Sequence, residues 1–130
     1  MKEQIKRIQA NTEFFITEGC HIIELLQAGD DPHLSIARAR LEPGMITRWH
    51  RLTGSIERYV ILEGRGLVEV GQLPAQEVLP GDVILIPAGC RQRISNTGRA
   101  DLLFLAICTP PFKPENYTDI EKPPLQFSSP

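Results

Sequence analysis

The sequence predicts an all-β fold organised as one domain. Eleven prolines and ten glycines are spread through the 130 residues and separate short apolar runs, a pattern typical of many short strands joined by turns. The runs recur at the spacing expected for a sandwich or barrel, and no segment of ten or more residues keeps a strong helical period. We therefore do not expect a parallel α/β sheet.

Ten apolar runs are predicted as strands. They cover residues 14–16, 20–27, 34–41, 45–52, 57–63, 67–70, 76–79, 82–86, 92–96 and 102–108. Residues 1–12 are expected to form one or two weak helical turns, with Ile5 and Ile8 on one side. Beyond Thr109 prolines are frequent, so the chain should continue as an extended tail that cannot be a central strand. The aromatic residues of this tail predict that it packs on its own barrel or on a partner; they are Phe112, Tyr117 and Phe127.

Composition and charge argue against several classes of partner. Lysine and arginine total 14 against 16 aspartates and glutamates, which gives no electrostatic case for binding nucleic acid or an anionic membrane. No apolar run approaches the roughly 20 residues of a membrane helix, and residues 1–7 lack the apolar stretch of a secretion signal. Cys20, Cys90 and Cys108 form an odd set without CxxC spacing, so we expect reduced thiols and a cytoplasmic location.

Residues 43–66 and 80–98 share a pattern of turn, strand, turn and strand. Pro43-Gly44 and Pro80-Gly81 combine the fixed φ of proline with the permissive φ of glycine. Side chains two residues apart share a face of a strand. The groups that would face inward together are His50 with Arg48 and Leu52, Glu57 with Tyr59 and Ile61, and Gln92 with Ile94 and Asn96. The pattern therefore predicts one polar cluster in an otherwise apolar barrel mouth.

These two segments resemble the paired motifs of the cupin superfamily. The matching positions are Gly44, His50, Glu57 and Gly64 in the first motif and Gly81, Pro87, Gly89 and Asn96 in the second. The resemblance implies a jelly-roll barrel, or double-stranded β-helix, over residues 14–109, with an N-terminal segment 1–13 and a tail 110–130. Residues 65–66 and 108–112 look like the small single-domain cupins loosely described as mannose-6-phosphate isomerase-like.

Three histidines and the glutamate of these motifs hold a divalent metal in the cupin family, and two of the histidines are absent here. Leu52 and Gln92 occupy their positions. Carried over position by position, the resemblance implies His50, Glu57 and Gln92 as ligands of Fe, Mn, Ni or Zn, since an amide oxygen can replace an imidazole whereas leucine cannot. The alternative interpretation is a metal-free hydrogen-bonded network of the same three side chains.

Three residues are candidates for contact with a substrate or ligand. Glu57 is the candidate general base, and Tyr59 could offer its phenol to a ligand or donate a proton. Arg48 could clamp an anionic group, with a surface ion pair as the alternative. Tyr59 could equally be an aromatic that fills the barrel.

The function expected from these features is the binding of a small polar or anionic molecule. One form of this hypothesis is a metal-dependent enzyme of oxygenase or isomerase type, and the other is a metal-free or non-catalytic binding protein. We also expect a homodimer, because an exposed sheet edge needs covering and two-fold pairing is the commonest way to cover it. Strand 14–16 and the proline-rich tail are the candidate contact segments.

Overall fold

The computed structural model describes residues 1–121 and contains eleven strands. They are β1 (Phe14–Ile16), β2 (Cys20–Leu26), β3 (Ser35–Leu41), β4 (His50–Leu52), β5 (Ile56–Glu63), β6 (Gly66–Val70), β7 (Gln76–Val78), β8 (Val83–Ile86), β9 (Gln92–Asn96), β10 (Leu102–Thr109) and β11 (Tyr117–Asp119). Short 3-10 turns at Ala10–Thr12 and Pro114–Asn116 complete the regular structure. Within residues 1–121, no helix has the length and apolar character needed to cross a bilayer.

The strands form two antiparallel sheets that enclose the core. The six-stranded sheet has the order β1-β2-β3-β10-β5-β8, and the five-stranded sheet has the order β11-β4-β9-β6-β7. The core cluster draws Leu41, Tyr59 and Phe104 from the first sheet and Val68 and Ile94 from the second. This arrangement confirms the predicted all-β jelly-roll.

Alternation along the strands decides which side chains reach the interior. On β5, Glu57, Tyr59 and Ile61 are buried, whereas the residues between them face outward at intermediate exposure. His50 and Leu52 are buried on either side of an exposed Arg51 on β4. The alternation of strand residues therefore places a carboxyl and an imidazole inside an apolar barrel.

Three elements of secondary structure differ from those predicted from the sequence. Residues 45–49 do not continue β4; Ile46 makes an isolated bridge to Ser95 instead. Of the helical turns expected in residues 1–12, only Ala10–Thr12 is regular, as a 3-10 turn. The sequence did not predict β11, which pairs with β4 at the edge of the five-stranded sheet. Residues 110–121 thus lie against the barrel, whereas Phe127 falls outside the described residues.

Glu13 fastens the start of β1 to the outer face of β3. The Arg40 guanidinium donates hydrogen bonds to both carboxylate oxygens of Glu13, the shortest being 2.7 Å, and Arg38 donates another at 3.1 Å. These charge-assisted bonds from Arg40 hold the pKa of the Glu13 carboxyl below its usual range. Arg38 and Arg40 therefore face outward, and the small side chain of Ala39 lies in the core between them.

Replacing Glu13 by glutamine should lower stability in a pH-dependent way. A carboxyl whose folded pKa is depressed stabilises the protein above its unfolded pKa, and that stabilisation is lost as the pH falls through the folded value. We expect Glu13→Gln to lower the free energy of unfolding by about 1 kcal/mol at pH 7 and by much less at pH 3. Urea titrations at both pH values measure this. Glu77→Gln is the control, because Glu77 is exposed and lies 3.9 Å from its partner Arg65. An equal loss of stability in Glu13→Gln at both pH values would contradict the ion-pair explanation.

Candidate functional site

A hydrogen bond between the two sheets forms the centre of the candidate site. The Nε2 amide of Gln92 on β9 donates to Oε1 of Glu57 on β5 at 2.7 Å. Gln92 is fully buried and Glu57 is 7% exposed. The Cys108 thiol on β10 lies 3.7 Å from the other carboxylate oxygen of Glu57. Two residues singled out in separate sequence motifs are therefore in direct contact inside the barrel.

His50 is held in a defined tautomer by the backbone beside it. Its Nδ1 lies 2.7 Å from the carbonyl oxygen of Arg48. Because a carbonyl oxygen can only accept, Nδ1 carries the proton and donates it. The remaining nitrogen, Nε2, therefore presents a lone pair to the barrel interior. Burial lowers the pKa of His50, which favours this neutral imidazole.

Glu18 was not identified as a site residue from the sequence, and it reaches the same cluster from the β1–β2 turn. Its Oε1 lies 3.6 Å from Nε2 of His50, and its Oε2 lies 3.8 Å from the Cys20 thiol. The side chain is 15% exposed. The only local sequence signal is a glutamate before Gly19, whose φ of 108° makes the turn. Such a pair occurs in many hairpins, so it does not by itself predict a site.

Neither carboxyl group of the site has a lysine or arginine partner within residues 1–121. Burial raises the pKa of Glu18 to about 7. Burial, together with the nearby charge of Glu18, raises the pKa of Glu57 to about 7. The interior of the barrel is thus rich in hydrogen-bond acceptors and contains no fixed positive charge.

Tyr117 covers His50 from the C-terminal segment. The two rings stack with their centroids 5.2 Å apart. Within residues 1–121, three buried side-chain polar atoms have no hydrogen-bond partner, and two of them belong to this site: the Tyr117 hydroxyl and Oε1 of Gln92. Since buried polar groups are almost always paired, these two atoms are the most direct indication that the site takes a ligand.

The structure distributes the other predicted site residues differently. Tyr59 is buried and packs against Phe104 with ring centroids 4.5 Å apart, and burial raises the pKa of its phenol. The Arg48 guanidinium forms a partly exposed ion pair with Asp119, so the contribution of Arg48 to the site is its backbone carbonyl. Leu52 is buried beside His50 and makes this corner apolar.

The side chains of the site carry the kinds of donor atom that bind a divalent cation. They are not arranged as a complete coordination shell. Within residues 1–121, no three histidine, cysteine, aspartate or glutamate side chains are grouped as metal ligands. Three groups of the site have lone pairs that could bind a cation. They are Nε2 of His50, the unpaired Oε1 of Gln92 and the Glu57 carboxylate. Imidazole, amide and carboxylate donors together suit a transition metal in mixed nitrogen and oxygen coordination.

Two clefts at the surface lie away from this cluster. One, of about 360 Å³, is lined by residues of β6, β7 and β8, among them Val68, Val78 and Val83. The other, of about 310 Å³, is lined by the N-terminal segment and β2. Neither includes His50 or Gln92, and neither brings together several unpaired buried polar atoms. We therefore regard the buried cluster, not these clefts, as the candidate functional site.

The fold and its interior site define a class of double-sheet barrel proteins with polar side chains at the centre of the barrel. Residues 37–108 match the family model described as a cupin domain, and the chain belongs to the cupin family. Glu18 and Tyr117 both lie outside the matched segment. The site therefore combines family residues with residues from the flanking segments.

One match in sequence and one match in structure come from Thermotoga maritima. An oxalate-binding protein of that organism is 37% identical over 71 residues, which are 55% of this chain and 58% of that protein. The crystal structure of a predicted oxalate decarboxylase from the same organism superimposes with a TM-score of 0.74 at 27% identity, covering 82% of this chain and 99% of the other. An uncharacterised protein of Methanocaldococcus jannaschii is 37% identical over 87 residues, 67% of this chain and 69% of that protein.

Removing the hydroxyl of Tyr117 should not destabilise the ligand-free protein. Because this hydroxyl is buried without a partner, Tyr117→Phe should leave the free energy of unfolding unchanged or raise it slightly. Thr47 is the matched control, since its buried hydroxyl accepts a hydrogen bond from the Ile94 amide at 3.0 Å. Thr47→Val should cost about 1–3 kcal/mol in urea denaturation. An equal loss in both variants would show that the Tyr117 hydroxyl has a partner within the protein.

Proposed function

We propose that this chain binds a small anionic molecule inside the barrel through a divalent cation. The observation that carries the proposal is a pair of unpaired buried atoms on side chains that contact the polar cluster: Oε1 of Gln92, whose Nε2 bonds to Glu57, and the hydroxyl of Tyr117, whose ring stacks on His50. A bound ligand would supply the partners that these atoms lack. The oxalate-binding relative supports a small anion as the class of ligand.

The charges in the site explain why a cation belongs to the proposal. Glu18 and Glu57 are both acidic, and an anion placed beside two carboxylates without a positive group would be strongly disfavoured. A divalent ion of Fe, Mn, Ni or Zn would supply the positive charge and open positions for the anion. In this proposal His50, Glu57 and Gln92 hold the ion.

The remaining residues of the site position these groups and exclude water. The Arg48 carbonyl keeps Nδ1 of His50 protonated, so the lone pair stays on Nε2. Leu52 and Tyr59 form an apolar wall. If the bound molecule reacts, Tyr59 is the proposed contact to the substrate in the metal-dependent form, whereas Glu57 would be the general base only in a metal-free enzyme, with His50 orienting it.

A metal-free ligand site is the second candidate function, and the hydrogen bond from Gln92 to Glu57 favours it. That bond already pairs one carboxylate oxygen without a metal. In this case the ligand would be an uncharged molecule that donates a hydrogen bond to Oε1 of Gln92 and accepts one from Tyr117. Such a protein would bind its ligand equally well before and after treatment with a chelator.

Metal analysis of the purified protein separates the two functions. Protein prepared without chelator or a metal-affinity step should contain about one transition metal per chain, and Glu57→Gln should lose most of it because a charged ligand is replaced by a neutral amide. Calorimetry with oxalate as the probe should show binding only to the metal-loaded protein. Glu77→Gln, an exposed substitution, is the control. Metal content that is unchanged in Glu57→Gln would exclude the proposed site.

We further propose that the chain forms a homodimer in the cytoplasm. The edge strand β8 exposes Val83 by 56% and Leu85 by 69%, and an apolar edge of this kind needs a cover. A second copy of the chain is the simplest cover, since two-fold pairing is the commonest form of assembly.

Light scattering should return a mass near twice 14.6 kDa for the wild-type protein. Leu85→Lys should shift it to the monomer mass, because a lysine would be buried against its symmetry mate. Phe14→Lys, on the opposite edge strand β1, is the matched variant. Dissociation by Phe14→Lys alone would move the interface to β1, and a wild-type mass of 14.6 kDa would exclude the dimer.

A further inference from the structure

We propose that Glu18 is an additional ligand of the divalent cation and takes the place of the imidazole that is missing at Leu52. This inference rests on the proposed function and adds to it a ligand from outside the cupin domain segment, residues 37–108. The β1–β2 turn, which carries Glu18, thereby becomes part of the metal site.

The contact between Glu18 and His50 is the first observation. Because Nδ1 of His50 donates to the Arg48 carbonyl, its Nε2 lone pair faces the Glu18 carboxyl oxygen at 3.6 Å. Two lone pairs that face each other in a buried site need a proton or a cation between them. The separation is longer than a normal hydrogen bond of about 2.7–3.2 Å.

The same separation is close to that of two ligands on one ion. Two donor atoms each about 2.1 Å from a metal lie about 3.0 Å apart at a right angle and about 3.4 Å apart at a tetrahedral angle. The observed 3.6 Å between Oε1 of Glu18 and Nε2 of His50 is slightly larger than the tetrahedral value. Because Glu18, His50 and Glu57 are not grouped as metal ligands within residues 1–121, their side chains must move on binding so that both atoms reach the ion.

The backbone of Arg48 fixes both groups at once. Its amide donates to the carbonyl oxygen of Glu18 at 2.8 Å, and its own carbonyl accepts the proton of His50 Nδ1. Gly19 completes this contact, because a Cβ there would lie 3.1 Å from the Ile46 carbonyl oxygen. The turn is therefore docked against the segment that carries His50, as a ligand-bearing element requires.

The unpaired amide oxygen of Gln92 is the independent observation that points to a ligand here. Gln92 is fully buried, its Nε2 is bonded to Glu57, and its Oε1 has no partner among residues 1–121. The Gln92 oxygen, the Glu18 carboxyl and Nε2 of His50 are thus three groups with lone pairs, and no lysine or arginine pairs with the Glu18 carboxyl within residues 1–121. A divalent ion satisfies all of them in one step.

The test uses Co²⁺ as the probe, because its visible absorption reports the number and type of ligands as well as the affinity. Calorimetry and absorption titrations measure the Co²⁺ affinity and spectrum of three proteins: the wild type, Glu18→Gln and Glu42→Gln. Glu42 is the matched control, since it also contacts a histidine, His21 at 2.8 Å, but on the surface. We expect Glu18→Gln to weaken Co²⁺ binding at least tenfold and to change the absorption spectrum, and Glu42→Gln to change neither.

A rescue variant tests the idea that Glu18 replaces the missing imidazole. Adding Leu52→His to Glu18→Gln should restore most of the Co²⁺ affinity, whereas a purely structural role for Glu18 would not be repaired there. If Glu18→Gln does not fold by circular dichroism, Glu18→Asp is the second variant. Its shorter carboxylate should give intermediate affinity and an altered spectrum.

The outcomes separate this inference from the proposed function. Wild-type affinity and an unchanged spectrum in Glu18→Gln, or in Glu18→Asp if that variant is needed, would overturn the role of Glu18 and leave the cation site of His50, Glu57 and Gln92 intact. Absence of Co²⁺ binding to the wild type would overturn both. Loss of binding in Glu18→Gln without rescue by Leu52→His would overturn the replacement of the imidazole.

Discussion

The hydrogen bond from Gln92 to Glu57 is the interaction on which the interior of this barrel depends. It joins the two sheets at a point where both side chains are removed from water. Leaving either group unpaired there would cost about 1–3 kcal/mol or more. The bond lies within a core that includes Tyr59, Ile94 and Phe104, and it satisfies part of the polar groups buried there. The atoms that it leaves unsatisfied are the ones that define the candidate site.

The segment before β4 determines how that site is completed. It does not pair continuously with β9, and its backbone is free to bond elsewhere: the Arg48 amide to Glu18 and the Arg48 carbonyl to His50. The β1–β2 turn is thereby brought to one side of His50. On the other side, β11 adds to the edge of β4 and lays the Tyr117 ring on the imidazole. The cupin segment contributes the barrel strands of the site, and the flanking segments contribute Glu18 and Tyr117 on either side of His50.

The outer surface shows a different use of charge. Arg38 and Arg40 alternate with small residues on β3, so their guanidinium groups face outward, where both pair with Glu13 and Arg40 also pairs with Asp101. Trp49, on the segment before β4, lies under the guanidinium groups of Arg91 and Arg93, at 4.4 and 4.5 Å from its ring centroid. Basic residues are thus used to fasten the outside of the barrel. In the described part of the chain, no lysine or arginine forms an ion pair with Glu18 or Glu57.

Much of the fold follows from the sequence because strand geometry is local. Proline and glycine mark the turns, and a period of two residues groups the side chains that share a face of each strand. The resemblance to the cupin motifs then predicts that His50, Glu57 and Gln92 lie together. The period applies only within a strand. It failed for Arg48, because β4 begins at His50, and the Arg48 side chain meets Asp119 instead.

Only the tertiary structure placed Glu18 and Tyr117. One lies in a turn and the other follows a proline-rich segment, and neither position has a periodicity from which its direction could be inferred. Glu18 is placed by a hydrogen bond to the distant Arg48 amide, and Tyr117 by pairing with Leu52. The sequence by itself determined the barrel and the half of the site carried by its strands. The other half was decided by long-range contacts, because turns and tails take their direction from what they pack against.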